Sequence, residues 1–190
     1  MFDKGEDEEV LIDQANHQYT KHSILGGITR FTSCSTFGFD TGGDLGFSDS
    51  PTKEECSSKM QTIEIQAYPG RKITVHKALI NEVQGIFTEL KNAGVILNKY
   101  IGGYFFRPIN NPSHPGSTTL SMHSFGCAID INYNLNPFVK GGVPLTSGDD
   151  TPAGKVRTLG SPIVRAFAKY GWGWGGRYGD YMHFSKANGG

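Results

Sequence analysis

The sequence predicts an α+β fold, a small and largely antiparallel sheet flanked by helices. Three observations carry this. One stretch has apolar residues at helical spacing and a second carries helix start and stop residues, several short runs alternate as strands do, and the two kinds follow one another without a βαβ rhythm. At 190 residues the chain suits one full domain with its own core, since single domains run to roughly 100–200 residues.

Taken in order, residues 1–60 divide from the rest by composition. An acidic head, Met1-Phe2-Asp3-Lys4-Gly5-Glu6-Asp7-Glu8-Glu9, leads into a Gly/Ser/Thr/Asp-rich stretch from Gly38 to Ser58. It is expected to be an irregular extension, with Phe31, Phe37, Phe39 and Phe47 docking parts of it on the main body. The domain proper is expected over 61–190. Thr62–Tyr68 alternates, Pro69-Gly70 is a turn dipeptide and Lys72–Val75 resumes a strand, which predicts a hairpin. Leu79, Ile80, Val83, Ile86, Phe87 and Leu90 then recur at helical spacing with Gly94 beyond them, predicting a helix over 76–93. Ser161-Pro162 reads as an N-cap and first helical residue, and Tyr170-Gly171 as the end of that second helix. Strands are expected at Tyr104–Arg107, Cys127–Asn132 and Tyr181–Ser185.

Composition narrows the function classes. Lys+Arg and Asp+Glu both number 18, for zero formal charge, so no global field draws the chain to nucleic acid or to an anionic membrane. No apolar run approaches the roughly 18 residues of a membrane span, and the acidic start is unlike a signal peptide. Cys34, Cys56 and Cys127 are too few and too scattered for a disulfide framework. A Cys34–Cys56 bridge is open on this reading, but free thiols suit a chain without an export signal better.

The chemistry concentrates in two segments. In Ser121-Met122-His123-Ser124-Phe125-Gly126-Cys127-Ala128-Ile129-Asp130, alternation puts Cys127, Ile129 and Ile131 on one face and Asp130 on the other. A carboxylate in mid-strand needs a partner, and His123, one loop earlier, can fold back to meet it around a cation. On the last strand His183 takes the face opposite Met182 and Phe184. Paired strands would make His183 and Asp130 neighbours. Two imidazoles and one carboxylate leave a tetrahedral zinc one open position, the catalytic arrangement, provided the three ligands lie within about 5 Å of one another. Asp180, three residues before His183, stands where a proton shuttle would serve peptide hydrolysis, and Arg107 can offer fixed positive charge. His-x6-Asp alone is a weak signal, and the conjunction of these elements gives it weight.

Ser121-x-His123-x-x-Gly126-x-Ala128-x-Asp130 followed by Asp180-x-x-His183-Phe184 resembles the signature of the zinc-dependent D-alanyl-D-alanine carboxypeptidases and L-alanyl-D-glutamate endopeptidases, the VanY-like or M15 peptidases. The likeness runs from about Thr62 to Ser185. Trp174-Gly175-Gly176 looks most like the endopeptidase branch of bacteriophage endolysins. The resemblance implies a hedgehog/DD-peptidase-like fold and one Zn²⁺ per chain on His123, Asp130 and His183. It implies Asp180 as catalytic base, Arg107 in contact with the substrate or its tetrahedral intermediate, and Ser121 and Trp174 on the substrate side. The implied partner is the stem peptide of bacterial peptidoglycan, cut at L-Ala–D-Glu, with D,D-carboxypeptidase or dipeptidase action on D-Ala-D-Ala termini as the second reading. A wall-binding or virion module that keeps the zinc fold without turnover is the reading from another class. The chain is expected to be a monomer unless carried in a virion. Without an export signal, it is expected to reach the wall from the cytoplasm of an infected or producing cell, or as part of a virion.

Overall fold

The computed structural model describes residues 44–98, 100–109, 116, 118–142 and 154–186. Helix α1 (Lys53–Ser58) is capped by Thr52, whose hydroxyl accepts from the Glu55 N–H. Strands β1 (Met60–Glu64) and β2 (Lys72–His76) form the expected hairpin, antiparallel with Thr62 opposite Thr74. A 3₁₀ turn at Lys77–Leu79 then enters helix α2 (Ile80–Asn92), so the helix expected over 76–93 starts about a turn late. His76 is the reason. Its Nδ1 accepts from the Ala78 N–H at 3.1 Å and caps the 3₁₀ turn.

The site-bearing sheet is four-stranded and antiparallel throughout, in the order β3-β4-β6-β5. Its strands are β3 (Ile101–Gly102), β4 (Ala128–Ile131), β5 (Gly173–Trp174) and β6 (His183–Ser185). Helix α3 (Pro162–Ala168) lies between β4 and β5 in sequence. Ser161 caps it by accepting from the Ile163 N–H, with Pro162 at its first position. Helices α2 and α3 pack together behind the sheet. Val83, Ile86, Phe87 and Leu90 of α2 and Ile163, Val164 and Phe167 of α3 meet Ile129, Ile131 and Phe184 in one core. Phe167 stacks on Phe184 with ring centroids 4.0 Å apart.

Residues 44–60, grouped by composition with the irregular head, supply Leu45, Phe47 and Cys56 to this core. Phe47 docks as expected, edge-on to Phe125 at 5.2 Å and to His76 at 5.5 Å. Phe31, Phe37, Phe39 and Cys34 lie outside the described residues, while Cys56 and Cys127 are both buried and Cys56 is a free thiol.

The expected strand at Tyr104–Arg107 is not one. The paired strand ends at Gly102, and the following backbone hangs on three different partners. The Tyr104 N–H donates to the Thr74 carbonyl, the Phe105 N–H to the His123 carbonyl and the Arg107 N–H to Ser124 Oγ. Aromatic alternation gave the segment strand character, but among the described residues its antiparallel pairing is confined to the Ser121 N–H on the Arg107 carbonyl and the Pro108–Leu120 bridge just beyond it.

The far end of the chain is tied back to the first long helix. Lys186 Nζ bonds both carboxylate oxygens of Glu82 at 2.9 and 3.2 Å and the Tyr170 carbonyl at 2.6 Å. Trp172 Nε1 donates to the same Glu82 carboxylate. Among the described residues no helix is long and apolar enough to cross a membrane.

Phe184 is fully buried and sits on β6 next to His183. Phe184→Ala should lower stability by about 3–5 kcal/mol, as aromatic-to-alanine changes in well-packed cores do, measured by urea unfolding with the slope unchanged.

Candidate metal centre

The register decides the geometry of the site. β4 and β6 pair so that Asp130 stands directly opposite His183, Ile129 opposite Phe184 and Ala128 opposite Ser185. Directly opposed side chains on one face have Cβ atoms about 4.5–5.5 Å apart, so the carboxylate and the imidazole meet. His183 Nδ1 lies 3.1 Å from Asp130 Oδ1.

His123 arrives from the other side, on a 3₁₀ turn at Met122–Phe125 that leads into β4. Ser121 caps that turn, its hydroxyl accepting from the His123 N–H. Gly126 ends it in the left-handed region at φ 65°, where a side chain would be strained and would also press on Met60 and the His76 backbone. The turn thereby aims His123 Nε2 at Asp130 Oδ1, 3.2 Å away. The ring's other nitrogen, Nδ1, lies 2.7 Å from the Gly103 carbonyl. A carbonyl only accepts, so Nδ1 carries a proton and Nε2 is the ring atom turned into the site.

The fit of this trio to a metal ion can be tested on its own geometry. One ligand atom from each of His123, Asp130 and His183 lies within 4.8 Å of the others, inside the 5 Å limit expected from the sequence. Atoms 2.0–2.2 Å from a tetrahedral zinc sit roughly 3.3–3.6 Å from one another. The 3.2 and 3.1 Å separations about Asp130 Oδ1 nearly meet that edge length. His123 Nε2 is moreover buried without a hydrogen-bond partner, as a lone pair reserved for a cation would be. The donor set of two imidazoles and a carboxylate suits zinc.

Asp180 lies beside the trio. It follows a 3₁₀ turn at Gly175–Tyr178, and its backbone is held by the Gly175 carbonyl and by a bridge to Phe138. Gly175 permits the approach, because a Cβ there would lie 3.1 Å from Asp180 Cβ and 3.2 Å from His183 Cβ. Asp180 Oδ1 is buried with no hydrogen-bond partner.

The surroundings push the two carboxylates in opposite directions. Burial opposes ionisation of Asp130, but the two imidazoles beside it, His123 and His183, outweigh burial and hold the carboxyl well below the usual carboxylate range. Asp180 accepts no such bond. Burial raises it, assisted by the Asp130 charge, against partial relief from His183, His123 and Arg107. Burial alone would lower His183, yet the bond to Asp130 and the charges of Asp130 and Asp180 leave it raised, with Arg107 opposing.

The remaining expected residues fall into place differently. Arg107 is half-buried and close enough to be felt by both Asp180 and His183, with Nη1 donating to the Pro108 carbonyl. Ser121 is buried and serves the turn as its cap. Trp174 is only 4% exposed, and its indole N–H donates to the Tyr181 carbonyl, which puts it in the packing beneath the site where contact with substrate was expected. Sequence reasoning missed the Gly103 carbonyl and the Ser124 hydroxyl. Neither has a side-chain pattern of its own, because each matters through backbone contacts that only the folded chain brings together.

A family model described as D-alanyl-D-alanine carboxypeptidase matches residues 115–186. Over that stretch the chain is similar to the M15 peptidases. It covers Ser121, His123, Asp130, Trp174, Asp180 and His183, and begins after Arg107. Searches of curated proteins and of solved structures found no match.

The pKa directions predict how the metal-free chain responds to pH. Asp130 is depressed in the folded state, so its contribution is present above the unfolded value of about 3.9 and is lost as pH falls; His183 is raised, so its contribution is present below about 6.5 and is lost as pH rises. The difference in melting temperature between wild type and Asp130→Asn, both metal-free, should peak between about pH 4 and 6.5 and shrink on either side. Scanning calorimetry across pH 3–9 in chelator checks this.

Proposed function

We propose that the protein is a zinc peptidase that hydrolyses the stem peptide of bacterial peptidoglycan at the L-Ala–D-Glu bond, in phage lysis or wall penetration. The observation that carries this reading is the ligand triangle of His123, Asp130 and His183 with the buried, unbonded Asp180 beside it, all within the segment similar to the peptidase family.

His123 Nε2, Asp130 and His183 Nδ1 would hold the zinc. When bound, Zn²⁺ supplies Lewis acidity, polarising the scissile carbonyl and lowering the pKa of water. Asp180 does the proton work. Its raised carboxyl, freed of hydrogen-bond donors, takes a proton from the attacking water and returns it to the leaving amine. Arg107 offers a cation to the developing oxyanion or to a substrate carboxylate. Asp130 takes no part in proton transfer, because its two imidazole partners keep it ionised.

The family model's description favours a second reading, D,D-carboxypeptidase action releasing a terminal D-alanine. In either case the enzyme works on the wall, as a monomer when released from an infected or producing cell or else as part of a virion.

Incubating the zinc-replete protein with purified peptidoglycan and analysing the products by mass spectrometry tests both. Fragments with a new D-Glu amino terminus are expected, and free D-alanine would transfer the assignment to the second reading. Sacculi that bind the protein yet release nothing would sink the peptidase reading and leave a wall-binding module. Asp180→Ala should lower kcat by about 10²–10⁴-fold while retaining one zinc per chain by elemental analysis. His123→Ala should lose the metal as well.

A further inference from the structure

Ser124 joins the two halves of the site. It follows His123 in the 3₁₀ turn, and it is fully buried. Its hydroxyl accepts from the Arg107 N–H at 2.9 Å and donates to the Arg107 carbonyl at 2.9 Å, with the Phe105 carbonyl farther off at 3.4 Å. One hydroxyl therefore meets both backbone groups of one residue. In an antiparallel sheet that double contact is made by the residue opposite, through its own N–H and carbonyl. By the register of the antiparallel Pro108–Leu120 bridge the residue opposite Arg107 is Ser121, whose N–H donates to the Arg107 carbonyl but whose own carbonyl accepts from the Ser124 N–H at 2.8 Å within the turn. The Ser124 hydroxyl supplies the acceptor for the Arg107 N–H that this ladder lacks.

Two neighbouring bonds reinforce the arrangement. The Ser121 N–H donates to the Arg107 carbonyl at 3.0 Å, and the Phe105 N–H to the His123 carbonyl at 3.2 Å. The Arg107 carbonyl thus has a second donor, whereas the bond recorded for the Arg107 N–H ends on Ser124 alone. Removing the hydroxyl would leave that half-buried N–H without its acceptor, and a lost partner of this kind is felt more than the net value of the bond.

We propose that Ser124 is a positioning residue that fixes Arg107 relative to His123, so that the turn carrying a metal ligand also sets where the cation near Asp180 stands. The link to turnover rests on the reading above, in which Arg107 faces the substrate. The positioning itself does not.

Two measurements on the full chain separate these parts. In hydrogen exchange, Ser124→Ala should speed exchange of the Arg107 amide about tenfold or more, while the amides of Ala128–Ile131 and His183–Ser185 keep their wild-type rates. An unchanged Arg107 amide would overturn the proposal, as would acceleration spread across both strands or a variant that does not fold, since these mark an ordinary core residue. In kinetics on a purified stem peptide, Ser124→Ala should lower kcat/KM about tenfold with one zinc still bound, and by less than about twofold when introduced into Arg107→Ala. Equal losses in the two backgrounds would show that Ser124 does not act through Arg107. Wild type that turns over no stem peptide would sink the peptidase reading, and hydrogen exchange would still decide whether Ser124 holds Arg107.

Discussion

A single oxygen atom organises the site. Asp130 Oδ1 is approached by His183 Nδ1 at 3.1 Å and by His123 Nε2 at 3.2 Å, and almost every local feature of the sheet serves that convergence. The β4–β6 register supplies the first contact. A slip of one residue would turn His183 to the opposite face and bring the apolar Met182 or Phe184 against the carboxylate. The capped turn ending at Gly126 supplies the second contact, and the Gly103 carbonyl fixes the ring that makes it. The core behind, with Phe184 stacked on Phe167, keeps β6 where the register needs it.

Around that oxygen the fold separates two carboxylates that the sequence presents alike. Asp130 is bonded by His183, lies beside a second imidazole and stays ionised; the Asp180 carboxylate oxygen Oδ1 is buried with no hydrogen-bond partner, and the group is raised. One environment suits a permanent ligand and the other a group that exchanges protons. This division of roles by surroundings is how paired acids are tuned for different tasks. Arg107 tempers both Asp180 and His183, so its position bears on the electrostatic balance of the whole site.

Much of this was legible in the sequence where side-chain period carries the information. Alternation in Cys127–Asn132 and Tyr181–Ser185 put Asp130 and His183 on matching faces, and the apolar spacing of Leu79, Val83, Ile86, Phe87 and Leu90 located α2. What escaped was decided by backbone partners. Tyr104–Arg107 has the composition of a strand, yet its hydrogen bonds go to Thr74, His123 and Ser124, and no periodicity announces a missing neighbour. Trp174 stands beside Gly175 and Gly176 in sequence, but its indole finds the Tyr181 carbonyl and turns inward. Leu45 and Cys56 lie among Gly, Ser and Asp residues that mask their contribution to the core.

The tether from Lys186 to Glu82 spans 104 residues, and its consequence concerns the order of assembly. β6 is the last strand of the sheet, and its place between β4 and β5 requires α3 to have packed and the chain to have returned. Such distant pairing is slow, because the entropy of closing the loop must be met before the contacts form. Asp130 and His183 thus meet by closing a loop of 53 residues, a cost that the native contacts of the sheet must offset. A cation held by them would be held by the finished fold alone, so its binding energy would add to native stability and draw the last strand home.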